Sequence, residues 1–464
     1  MKNTAPRWLF FLFPAVAMLL GWGLRGYIGG GPYGALMPGC FVALSLALLL
    51  GYRVETAAIA TLFGAIGIGY GGNMTYGQTL GFLRETDTVY WGLLGCLVKG
   101  TAWGLLGGAV MGIGFSRDHY ARKTVCIGLV LSLVAYYVGV WLINEPKLIY
   151  FSDPVNKPRG ESWAGMYAAA LVLLLYLKTQ GSRKAFQLPL HFALWGALGG
   201  GIGFAGGALW MVIGPLLPLP QAWIGWWKVM EFFFGFSLGG AFGYCAYLHR
   251  AALYQAGQEG DAPAPNGKGA LGFVAYVVLL FFGFALLRNA ISFTTIMGIA
   301  AQVLFGYVFF ATVALSIGLY SRHAAWQAGI TMAFFHTVLD YTRDLNTTNH
   351  FGYTAPGWVQ LTIIVLLCAL VGYLVHRFQG HEQPVVSLFL LAIWACYLSG
   401  CARSFLHYDY LFPPEGQGRI AYILAEKSAL PFVHLTFTVA ALWCTWAVYT
   451  YFRRPAEGAS ESPS

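Results

Sequence analysis

Apolar runs follow one another along almost the whole chain, separated by short polar stretches. A membrane helix needs about 20 predominantly apolar residues. Fourteen stretches approach that length, near residues 8–28, 33–52, 55–72, 89–115, 124–144, 162–178, 187–209, 222–248, 269–287, 293–319, 324–341, 358–376, 385–400 and 431–452. The pattern predicts an all-α, polytopic membrane helical bundle of 13–14 transmembrane spans, the third and thirteenth being the shortest. The first run continues past signal-peptide length without a clear small-x-small cleavage site, so it reads as an uncleaved helix.

Two stretches break the rhythm. Residues 250–268, rich in Ala, Gly, Pro and acid, read as a flexible cytoplasmic linker. Residues 453–464 read as a disordered tail. The linker divides the chain into an eight-helix part, residues 1–249, and a six-helix part, residues 269–452.

Within the first part the sequence resembles itself. Residues 67–72 read GIGYGG and residues 201–206 read GIGFAG, each followed by a Gly-rich run. Without gaps, Trp91 aligns with Trp223, and Leu106-Gly107-Gly108-Ala109 with Leu238-Gly239-Gly240-Ala241. The offset spans four helices, an even number, which predicts a parallel internal repeat of residues 8–115 and 124–248. On this reading the fourth and eighth helices cross near the centre of the bundle. The same alignment sets Lys99 opposite Glu231, both near mid-membrane, where charges face a partner or an aqueous cavity.

Composition fits a lipid solvent. The chain is 58% hydrophobic and 10% charged, against about 25% charged in soluble proteins. This excludes a soluble enzyme, a disordered regulator and a disulfide-stapled secreted domain. The net charge of +9 is topological, because Lys and Arg concentrate in alternate connections. By the positive-inside rule both termini are cytoplasmic, in a bilayer expected to be a bacterial inner membrane. No basic-aromatic tract suited to nucleic acid occurs. The eight cysteines form no CxxC, and no metal site is expected.

The remaining polar groups gather toward the predicted outer face. Arg25 ends the first helix. Asn73, Tyr76 and Gln78 lie in GGNMTYGQT, whose glycines predict a broken helix, a device that exposes backbone groups to solutes in transporters. Arg288 and Asn289 follow the ninth helix. His336 and Asp340, spaced i,i+4, share one helix face, and Arg343, His407 and Asp409 follow.

Two functions fit these groups. The first is a secondary transporter or permease for a small polar, anionic solute or lipid head group. It would use Arg25, Asn73, Tyr76, Gln78, Arg288, Asn289 and Arg343 for contact, and Lys99 and Glu231 for gating or coupling. The second is a membrane-embedded enzyme transferring an acyl or glycosyl group from a lipid-linked donor. Its catalytic residues would be His336, Asp340, His407 and Asp409. The sequence assigns no cofactor.

Overall fold

The computed structural model describes residues 5–28, 30–116, 119–155, 158–259, 264–287, 296–335, 357–405, 416, 418, 420–422 and 429–453. These residues are helical, and no strand occurs among them. The first eight long helices are α1 (Arg7–Ile28), α2 (Leu36–Leu49), α3 (Val54–Gly69), α4 (Val89–Phe115), α5 (Arg122–Gly139), α6 (Trp163–Gln180), α7 (Arg183–Ile213) and α8 (Trp226–Leu248). There follow α9 (Arg250–Glu259), α10 (Gly267–Leu287), α11 (Ile296–Leu304), α12 (Tyr307–Gly318), α13 (Arg322–Trp326), α14 (Gly357–Phe378), α15 (Pro384–Phe405) and α16 (Leu430–Tyr451).

Nine helices among the described residues are long and apolar enough to cross a membrane, including the third and thirteenth predicted spans. The run predicted as one span over 293–319 contains two helices bent by 43°. Apolar side chains lie exposed at helical spacing, as with Leu194, Leu198 and Ile202 on α7 and Leu435, Val439, Leu442 and Trp446 on α16. Such stripes are stable only against lipid. The chain is a multi-pass integral membrane protein.

Six helices close into a ring of neighbours, in the order α1, α2, α3, α4, α7, α8. Glycine seams hold much of it together. On α4, Gly100, Gly104, Gly108 and Gly112 recur every four residues and face Gly200, Gly196, Phe192 and Pro189 of antiparallel α7. A Cβ at Gly104 would overlap the Gly196 carbonyl, so only glycine permits this approach. Gly199, Gly203 and Gly207 of α7 lie against Leu238, Phe234 and Met230 of α8. Gly235, Gly239 and Gly243 of α8 lie against Met18, Pro14 and Phe10 of α1. Lipid offers helices no hydrophobic incentive to associate, so close van der Waals packing along small residues does that work.

This arrangement corrects two expectations. The helices α4 and α8 do not cross along a shared seam. They meet through the Trp103 and Phe234 rings, 5.6 Å between centroids, while α7 packs against both. The packing partners of α4 (α3 and α7) and of α8 (α7 and α1) do not repeat at the four-helix offset. In addition, the segment expected to be a flexible linker opens with α9. That helix is docked: Thr56 Oγ1 donates to Gly257 O at 3.0 Å and Gln258 Nε2 to Gly51 O at 2.8 Å.

The connections after α1, α3, α5 and α7 gather at one end of the bundle, called here the site end. At the opposite end His191 and His249 stack, with ring nitrogens 2.8 Å apart. Burial, then the neighbouring His191, pushes the His249 pKa below its ordinary 6.5.

Two outcomes follow. Gly104→Leu should destabilise the protein by about 3 kcal/mol through overpacking, whereas Gly272→Ala, which meets nothing within 4 Å, should leave the melting temperature unchanged. Thermal unfolding in detergent checks both. Because folding lowers the His249 pKa, its contribution is complete above about pH 6.5 and is lost as pH falls below that value. The same melts run across this window should show wild type losing more stability than His249→Asn.

Candidate functional site

Two polar assemblies occupy the site end, and they differ in how completely their bonding is satisfied. The first surrounds Lys99, ten residues into α4 and therefore about 15 Å along it. Lys99 is 0% exposed. Its ammonium donates to Thr75 O at 2.6 Å, Thr79 Oγ1 at 2.7 Å and Glu161 Oε1 at 2.6 Å. Glu161 also accepts from Phe151 N at 3.1 Å, Ser152 Oγ at 2.9 Å and Trp163 Nε1 at 3.2 Å. Thr79 Oγ1 in turn donates to Phe151 O at 2.7 Å. All three ammonium protons are engaged.

The partner of Lys99 is therefore Glu161, not Glu231. Glu161 belongs to the polar connection before α6, which turns back into the body to reach α4. A saturated network of this kind pins the 74–79 and 151–161 stretches to α4 and leaves no bonding capacity for a solute. This corrects the expectation that Lys99 couples or gates with Glu231.

The second assembly surrounds Arg25. It lies in the last turn of α1 and is 3% exposed. Trp22, three residues earlier, shares its helix face. The helix α3 ends at Gly69 and continues as a tight turn over Tyr70–Asn73 before Met74 extends the chain. Gly71 makes room for the Trp103 indole, and Gly72 for the backbone of Gly31 and Pro32. The break carries Tyr76 over Arg25. The guanidinium carbon then lies 5.5 Å from the ring centroids of Trp22, Tyr76 and Trp103 alike.

Arg25 Nη1 donates to Tyr76 Oη at 2.9 Å and Nη2 to Gly31 O at 3.2 Å, while Nε has no partner. Two of five guanidinium protons are used. Four charged residues are buried among the described residues: Arg25, Lys99, Glu161 and Glu231. Of these, Arg25 alone has no opposite charge at ion-pair distance. Cation–π contacts contribute about 2 kcal/mol when desolvated, and the C-terminal dipole of α1 adds to them. Neither neutralises the charge.

Beside Arg25, α8 brings a neutral pair. Lys228 Nζ bonds Glu231 Oε2 and donates to Gly23 O at 3.0 Å, while Trp227 Nε1 donates to Glu231 Oε1 at 3.0 Å. Gly26, the residue after Arg25, lies directly over this pair and is exposed, so the pair is reached from the bundle end. Tyr76 stacks on Trp227 at 6.2 Å and lies in the field of both Arg25 and Glu231. On the other side of Arg25, Trp22, Trp103, Phe204, Phe234 and Tyr76 form an aromatic layer with neighbouring centroids 4.4 to 5.6 Å apart.

The structure thus unites Arg25, Tyr76 and Glu231 and adds Trp22, Trp103, Trp227 and Lys228, which sequence reading had not assigned to a site. The Trp22–Arg25 spacing was the one available signal. Asn73 stands apart, donating to Tyr70 O at 3.1 Å. Gln78 lies two residues beyond Tyr76, and both ends of its amide are buried without a partner. Arg288, Asn289, Arg343, His336, Asp340, His407 and Asp409 lie outside the described residues, as does any catalytic arrangement among them. No group of three or more metal-binding side chains occurs among the described residues. No known protein-family model matches the chain, and no curated protein matches it in sequence.

A buried pair broken on one side costs about 3–5 kcal/mol. Lys99→Met and Glu161→Gln should each destabilise by that amount, and the double variant by less than their sum. A double-mutant cycle of unfolding free energies would expose any error in this assignment.

Proposed function

We propose that the protein is a secondary transporter or permease for a small anionic solute, which it binds at Arg25. The uncompensated Arg25 charge carries this reading. A buried cation without a counter-ion is costly, and intramembrane ionisable groups of this kind belong to solute sites and ion paths. Guanidinium matches carboxylate and phosphate oxygens, and three of its protons are uncommitted. Irregular backbone over 70–76, beside the end of α1, supplies the kind of helix break at which transporters hold solutes. The aromatic layer beyond Arg25 closes the route in this state and would part to complete it. The bias of basic residues toward alternate connections places the site end outside, with both termini in the cytoplasm.

Counterflow in proteoliposomes tests the reading, using radiolabelled pyruvate, gluconate, sulfate and phosphate. At least one anion should exchange. Arg25→Gln should slow that exchange by about a hundredfold, the loss of about 3 kcal/mol expected for a charge-assisted bond. Exchange by none of the four, or equal exchange by Arg25→Gln, would refute the proposal.

A further inference from the structure

We infer that the protein moves a proton together with the anion, and that Glu231 carries it. This rests on the Arg25 reading above. Glu231 is buried, with its side chain 3% exposed, and its charge is balanced by Lys228 alone. The charged and titratable groups around it are few. Lys228 lies one turn earlier on α8, Arg25 on α1 and Tyr76 on the stretch after α3. From α7, Gly207 meets Met230, and from α16, Phe437 meets Phe232, so these helices bring apolar neighbours.

With the site empty, Arg25, Lys228 and Glu231 sum to one positive charge. An anion bound at Arg25 arrives beside the Glu231 carboxylate, because Gly26 joins the two groups: a Cβ there would lie 3.1 Å from Glu231 Oε2. Two like charges in a weakly polar site favour protonation of one of them. Lys228 sits between, within reach of both, and can turn its bond from Glu231 toward the anion. The carboxylate left behind then takes a proton from the water that reaches the exposed Gly26 side. The Lys228–Glu231 bond breaks, a Lys228–anion bond forms, and one proton joins Glu231. Release on the far side reverses each change. Anion and proton enter together, and the site's net charge is the same loaded as empty.

The measurement is accumulation in proteoliposomes of the anion that passes the counterflow screen, with the outside more acidic than the lumen. For a monovalent anion and one proton, each pH unit of gradient should hold about a tenfold accumulation. A lumenal pH dye should record proton entry with the anion when no gradient is imposed. Glu231→Gln, which keeps an acceptor for Trp227, should let the anion equilibrate without accumulating, and without the dye signal. Accumulation undiminished in Glu231→Gln would overturn the inference. So would wild-type exchange that brings no proton into the lumen, a result that needs no variant and leaves the Arg25 reading intact. Loss of all exchange in wild type would instead remove both.

Discussion

Direct backbone contact between helices is the constraint on which the rest of the structure depends. The seams from α4 through α7 and α8 to α1 are built where a side chain would not fit, at Gly104 against Gly196 and at Gly243 against Phe10. A helix so fitted has little freedom to rotate about its axis. Its rotation decides which residues face inward, so the same seams fix Trp22, Trp103, Phe204 and Phe234 as one layer and bring α8 close enough to α1 for Lys228 to reach Gly23. The polar site is a by-product of glycine geometry.

Within that frame the two charged assemblies behave oppositely. The Lys99–Glu161 network satisfies its own donors and acceptors and ties connecting segments to a helix. The Arg25 cluster is held by aromatic rings and two hydrogen bonds, with donors left over. Burial alone does not separate a structural charge from a functional one, since both lysine and arginine are almost fully enclosed. The informative quantity is unused bonding capacity.

Much of the fold could be read from the chain, because bilayer thickness fixes span length and the hydrophobic runs show it directly. The four-residue glycine spacing on α4 was equally plain. It announced a close neighbour, but any small-residue face could have filled that place, and α7 rather than α8 does. Lys99 was readable as a buried charge from its position in an apolar run. Glu161 was not readable as its partner, since it lies in a polar connection that hydropathy assigns to the aqueous side. Arg25 stood out for the reason Lys99 did. Its aromatic surroundings come from four separate segments, and only Trp22 stands near it in sequence.

The fastening of the 74–79 and 151–161 stretches to the middle of α4 has a mechanical consequence. Those stretches cannot swing independently, so the α4 side of the ring behaves as a fixed wall. Trp22 and Arg25 belong to α1, and Phe234, Lys228 and Glu231 to α8, two helices zipped to each other along Gly235, Gly239 and Gly243. Tilting that zipped pair as a single lever against the wall displaces two of the five rings and both partners of the ion pair in one stroke. No individual side chain has to leave its rotamer first.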